Sequence, residues 1–121
     1  LNFFLKDSAK KLLFKEDTAE LSFHTLDKNW NIITEFKDIK FLSSGEQQIL
    51  ILFSYIAFNS QDGKLFIIDE PELSLHIKWQ EDFLDQLENI TPKGTQLILA
   101  THSPILANKK REKALVLMPY N

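Results

Sequence analysis

The 121-residue chain contains no cysteine. Neither a disulfide framework nor a thiolate metal site can therefore be built from it. This suits a reducing cytoplasm, which is the expected location. Glycine is almost as scarce, at three positions, Gly45, Gly63 and Gly94. No pair of them is spaced as G-x-x-x-x-G-K-[ST], so these residues hold no glycine loop able to cradle a phosphate. No apolar run approaches the roughly 20 residues of a membrane span, and no signal peptide is visible. No membrane partner is expected. Nor is there an excess of positive charge. The formal net charge is −3 and the sequence pI near 5.6, which gives this segment no broad electrostatic grip on nucleic acid. Lysines cluster around Lys6, Lys10, Lys11 and Lys15, and again with Arg111 at Lys109, Lys110 and Lys113. Both clusters are read as solvated faces.

What the chain does contain is apolar bulk, with 44% hydrophobic residues, ten phenylalanines and two tryptophans. That is enough for the core of one modest domain. A short helix is expected within residues 2–13. Strands are expected at 12–15, 20–25 and 30–36, forming an antiparallel meander with turns at Glu16-Asp17-Thr18 and Asp27-Lys28-Asn29. FLSSGEQQIL, residues 41–50, reads as a capped helix start. Ser43 and Glu46 have capping-box spacing, S-x-x-E, before an apolar run. The helix is expected over 44–59, and its near-continuous apolar character predicts burial on several sides.

KLFIID, residues 64–69, is a continuous apolar strand ending in acids. Such a strand is expected to be covered on both faces, as in parallel sheets. A helix is expected over 74–89, with Ser74 as its N-cap candidate and Trp79, Phe83, Leu84 and Leu87 as core. TQLILA, residues 95–100, is a second buried strand. A helical turn, a charged loop and a last strand over 114–118 complete the pattern. The order strand–helix–strand predicts a βαβ unit with parallel strands and a right-handed crossover.

Asp69 and Glu70 then lie at the carboxyl end of one strand, and His102, in LILATHSP, just past the end of the other. Ligands in open α/β sheets lie outside the carboxyl ends of the strands. If the strands are neighbours, these three residues converge on one site. Consecutive strand residues point to opposite sides, so the two acids are expected to differ in task. One suits a hydrated divalent cation, since Mg²⁺ takes one or two carboxylates plus phosphate oxygens. The other suits orienting or deprotonating a water. A histidine there can hydrogen-bond a phosphate oxygen. Glu72 is read as solvated. A metal centre from Asp69, Glu72, His76 and His102 matches no standard spacing, and His24 is assigned no role.

The ordered set resembles the ABC-type ATPases. LSSGE, residues 42–46, resembles the signature motif LSGGQ, with Ser44 and Glu46 departing from the common form. LFIIDE, 65–70, resembles Walker B with its catalytic glutamate. ELSLH, 72–76, occupies the D-loop position, and THS carries the switch histidine, His102. The glutamate in LSSGE and the form PELSLH resemble the soluble branch of RecF-like, SMC-like and OLD-like proteins and the ATPases of phage defence and retrons. The resemblance implies an α/β, incomplete P-loop NTPase fold: a parallel βαβ core with flanking helices and an N-terminal antiparallel meander. It divides one C-terminal ATPase portion into a meander (1–40), the signature and its helix (41–60), and a Walker B, D-loop and switch-histidine core (64–121).

By that resemblance, Glu70 and His102 are the catalytic pair. Asp69 supports Mg²⁺, and Ser43, Ser44, Gly45, Glu46, Ser74 and His76 serve ATP. The signature reaches ATP held by a second ATPase head, in a homodimer. DNA or an effector nuclease would be engaged through other parts of the parent. Leu1 is expected to mark a truncated or partial product, and the chain alone is expected not to hydrolyse ATP. Three further readings remain open here: an ABC transporter ATPase subunit, a non-catalytic assembly module, and a metal-dependent hydrolase without ATP.

Overall fold

The computed structural model describes residues 2–33 and 36–117. The chain forms two compact units, Leu1–Tyr55 and Ile56–Asn121.

The first unit begins with a single helical turn, α1 (Asn2–Leu5), and a 3₁₀ turn, Lys6–Ser8. Strands β1 (Lys10–Lys15) and β2 (Glu20–Thr25) pair antiparallel, with Leu12 opposite Phe23. The third strand differs from expectation. Ile32 makes only an isolated bridge to Leu26, and β3 is the two-residue segment Lys37–Asp38, beside Ser22 and Phe23. The cause is local. The Asp27 carboxylate accepts from the Asn29 and Asn31 N–H groups at 2.7 and 2.9 Å, and Trp30 takes φ +63°. The chain is thereby curled where a strand was expected. Expected strand residues 34 and 35 lie outside the described residues. Leu5, Leu12, Phe23, Leu42 and Leu50 form this unit's core, with Leu21 and Ile39 against it. His24 is buried in the meander, its ring 4.4 Å from that of Phe36.

Helix α2 (Ser44–Asn59) has the expected limits. Its burial is less complete than its composition implies, for Ile51, Tyr55 and Phe58 are exposed.

In the second unit, β4 (Leu65–Asp69) and β5 (Gln96–Ala100) pair parallel, as predicted, with Asp69 opposite Ala100. Each strand is entered through a turn glycine with positive φ, Gly63 and Gly94, and the Gly63 N–H donates to the Gly94 carbonyl at 3.0 Å. Among the described residues, one face of this sheet is covered and the other is not. Phe66 is buried, while Leu65, Ile67 and Ile98 on the other face are exposed. Among the described residues the sheet has two strands, and the double covering expected of them is not seen.

Helix α3 (Ile77–Ile90) buries Trp79, Phe83, Leu84 and Leu87, as its spacing requires, and packs against α4 (Pro104–Lys109). It starts three residues later than expected, and its N-cap is His76. Ser74 cannot cap it, because at φ +66° it belongs to the preceding turn. Residues 114–117 form no strand, and Leu115, Val116 and Leu117 are exposed. Met118 lies outside the described residues. Among the described residues, no helix is long and apolar enough to cross a membrane.

Phe83 is fully buried and Ile67 is 71% exposed. Phe83→Ala is expected to cost about 3–5 kcal/mol, and Ile67→Ser less than about 0.5 kcal/mol. Urea unfolding of the two variants checks the contrast, and equal costs would contradict this core.

Candidate functional site

Two loci carry the chemistry singled out by the sequence. The first is the start of α2. The Ser43 N–H donates to Glu46 Oε2 at 2.8 Å, and the Glu46 N–H donates to Ser43 Oγ at 3.3 Å. This is the reciprocal capping box read from the sequence. Gln47 adds to it, donating through Nε2 to the Lys40 and Leu42 carbonyls.

Glu46 does more than cap. Its side chain is buried, and Lys10 Nζ donates to Oε1 at 3.0 Å and Oε2 at 2.8 Å. Lys10 is thus a half-buried partner and not part of a solvated face. Lys109 and Lys110 also have partners, in Asp85 and Glu88. Burial pushes the Glu46 carboxyl up. The bonds from Lys10, Ser8 and the Ser43 N–H outweigh burial and hold it below the ordinary 4.5.

The arrangement separates the residues of LSSGE by exposure. Glu46 and the buried Gly45 face inward, while Ser43 and Ser44 are exposed. The first N–H groups of a helix have no intrahelical partner and attract anions. A bare carboxylate beside them would repel a phosphate, and Lys10 neutralises it.

The second locus lies past the carboxyl ends of β4 and β5. Asp69 ends β4 with its side chain exposed. Glu70 leaves the strand in a left-handed conformation, φ +46°, and its N–H donates to the Ala100 carbonyl at 2.7 Å. Two tight turns follow, in which the Leu73 N–H donates to the Glu70 carbonyl and the Leu75 N–H to that of Glu72. On the neighbouring strand end, His102 Nε2 lies 3.3 Å from Glu70 Oε1. The pair is open to water, with the His102 side chain 90% exposed, so its attraction adds little to stability.

His76, expected at a ligand, caps α3. Its Nδ1 accepts from the Trp79 N–H at 3.4 Å, and its ring lies against that of Trp79. Acceptance at Nδ1 leaves the neutral ring's proton on Nε2. Ser74 is exposed in the turn before it.

The sequence did not reveal the bonds of Glu72, which is half-buried: Oε1 accepts from the N–H groups of His102 at 2.8 Å and Ser103 at 3.1 Å. Burial raises its carboxyl, but the Thr101 hydroxyl and these backbone N–H groups together hold it below 4.5. Ser103, buried, donates from its hydroxyl to Gln80 Oε1 at 2.6 Å and caps α4 by accepting from the Leu106 N–H. Gln80 Nε2 in turn donates to the Leu75 carbonyl at 2.9 Å. Partners some 30 residues away in sequence left no local signal.

Among the described residues, no group of three or more His, Asp or Glu side chains is arranged to hold an ion. Asp69, Glu72, His76 and His102 thus form no metal centre of their own. A single exposed carboxylate at a strand end does fit Mg²⁺ that takes its other ligands from water and phosphate.

A family model described as "AAA domain, putative AbiEii toxin, Type IV TA system" matches residues 4–108. The chain belongs to this AAA family. It is 38% identical over 93 residues to a retron Vc95 probable ATPase of Vibrio cholerae, covering 68% of the chain and 17% of that protein. It is 40% identical over 74 residues to a retron Ec83 probable ATPase of Escherichia coli, covering 52% and 14%. It is also 29% identical over 101 residues to UvrABC system protein A of Helicobacter pylori, covering 82% and 11%. These matches identify an ABC/AAA-type ATPase segment, and the mixed α/β structure agrees. The chain spans less than a fifth of each of these relatives.

Lys10→Ala leaves the Glu46 charge buried and unpaired, at an expected cost of about 2–3 kcal/mol. Because the folded carboxyl is lowered, its stabilisation is complete above 4.5 and is lost as pH falls through the folded value. Urea midpoints between neutral and acid pH should therefore fall on the acid side, and fall less in Lys10→Ala. An identical acid limb in the variant would show that the loss originates elsewhere.

Proposed function

We propose that this chain is the signature, Walker B, D-loop and switch-histidine portion of an ATP-hydrolysing ABC-type head. The observation that carries the reading is the meeting of Glu70 and His102, from separate strand ends, at 3.3 Å. In this reading Glu70 positions and deprotonates the attacking water, and His102 donates to the γ-phosphate. A general base must lie within hydrogen-bond reach of its water, and the half-exposed Glu70 carboxylate is open to one. Asp69 would hold Mg²⁺, which would supply positive charge to the phosphates.

Ser43, Ser44 and Gly45 serve ATP bound to a second head, with the exposed hydroxyls and first-turn N–H groups of α2 as donors. Glu46 supports them from behind. Ser74 and His76 face the partner head, His76 offering Nε2–H. The domain plan follows: a meander over 1–40, the signature and its helix over 41–60, and the catalytic core over 64–121. The phosphate cradle comes from sequence outside these residues, so the chain alone is inactive.

The parent couples ATP-driven dimerisation to anti-phage defence or DNA repair in the cytoplasm, through an effector nuclease or DNA bound elsewhere. The retron ATPase matches support the defence reading and the UvrABC match the repair reading.

The test is Glu70→Gln in the full-length protein. ATP binding should persist, dimers should accumulate with ATP, and turnover should fall about 10²–10⁴-fold, the range for loss of a general base. Phosphate release measured beside equilibrium nucleotide binding decides it. Undiminished release removes Glu70 from the role.

A further inference from the structure

We propose that Glu72 is a positioning residue for His102, clamping the loop that carries the histidine to the turn that follows β4. The inference rests on the ATPase reading above. The His102 ring is almost wholly exposed, so no packed wall fixes it, and its aim depends on the backbone beneath. That backbone is tied directly to a carboxylate. Glu72 Oε1 accepts two successive N–H groups, those of His102 and Ser103. Charge-assisted bonds of this kind are about twice as strong as neutral ones.

A second strap runs in parallel. The Ser103 hydroxyl donates to Gln80, and Gln80 donates to the Leu75 carbonyl. The Ser103 N–H also bonds Thr101 Oγ1 at 2.9 Å, which tightens the loop. The turn over 72–75 and the loop over 101–103 are thus tied at both ends. Displacement of the turn, which the ATPase reading sets at the partner head, is carried to His102. Glu72 touches none of the reacting atoms. It acts through His102, and a misplacement of about 1 Å at a reacting group can cost on the order of a hundredfold in rate.

The experiment uses the full-length protein, with steady-state ATP turnover of Glu72→Ala, Glu72→Gln, Gln80→Ala, His102→Ala and the double variant Glu72→Ala/His102→Ala. Glu72→Ala should lower kcat about tenfold or more and change KM for ATP less than about twofold, since only an interaction of the transition state is lost. Glu72→Gln keeps an oxygen able to accept both N–H bonds, and should recover at least about half the rate. The double variant should be no slower than His102→Ala alone, because residues acting as one unit do not add. Gln80→Ala should lower kcat in the same direction by about twofold or more, and it carries the test if Glu72→Ala does not fold.

Wild-type rates in Glu72→Ala, a Glu72→Gln variant as slow as Glu72→Ala, or losses that multiply in the double variant would each overturn the proposal. If Glu72→Ala does not fold, a wild-type rate in Gln80→Ala does the same. Absence of turnover in the wild-type protein would instead sink the ATPase reading itself.

Discussion

The parallel pairing of β4 with β5 is the constraint on which the candidate catalytic locus depends. It sets Asp69 opposite Ala100, so the two chains leave the sheet at the same height. What meets there comes from the loops beyond that row and from α3: Glu70 with His102, Glu72 with the His102 and Ser103 N–H groups, and Gln80 of α3 with Ser103. A slip of one residue in either strand would turn its side chains to the other face and separate those partners. The apolar side chains of the two strands hold this register.

The start of α2 shows a different economy. One carboxylate, Glu46, closes the capping box and holds Lys10 of β1. The helix start is thereby tied to the meander as well as to itself. A glutamate at position 46 leaves a charge that must be neutralised in a buried place. Lys10 does so, which accounts for a glutamate standing beside helix N–H groups suited to an anion.

Much of this was legible in the sequence where local chemistry dominates. The Ser43–Glu46 spacing announces its box, the apolar runs announce β4 and β5, and the spacing of Trp79, Phe83 and Leu87 announces the buried face of α3. Legibility fails where a side chain turns the backbone without a pattern. Asp27 collects N–H groups and curls the expected third strand, and Ser74 takes a left-handed backbone, which passes the capping of α3 to His76. It fails also where partners are distant. Nothing near Lys10 names Glu46, and nothing near Glu72 names His102. The expectation that continuous hydrophobicity means covering on both faces reads the composition correctly, but Ile67 and Ile98 remain exposed.

The left-handed backbone of Glu70 carries one more consequence. At φ +46° the residue has left the extended conformation, so its direction does not follow from the two-sided alternation that governs Leu65 to Asp69. Side chains with a Cβ occupy that region at a cost of order 1 kcal/mol, and those branched at Cβ hardly at all. Position 70 is therefore selective in shape as well as in charge. An unbranched amide passes through the same narrow backbone gate as the native carboxylate, whereas valine, isoleucine or threonine would pull the turn open before any chemistry could be asked of it.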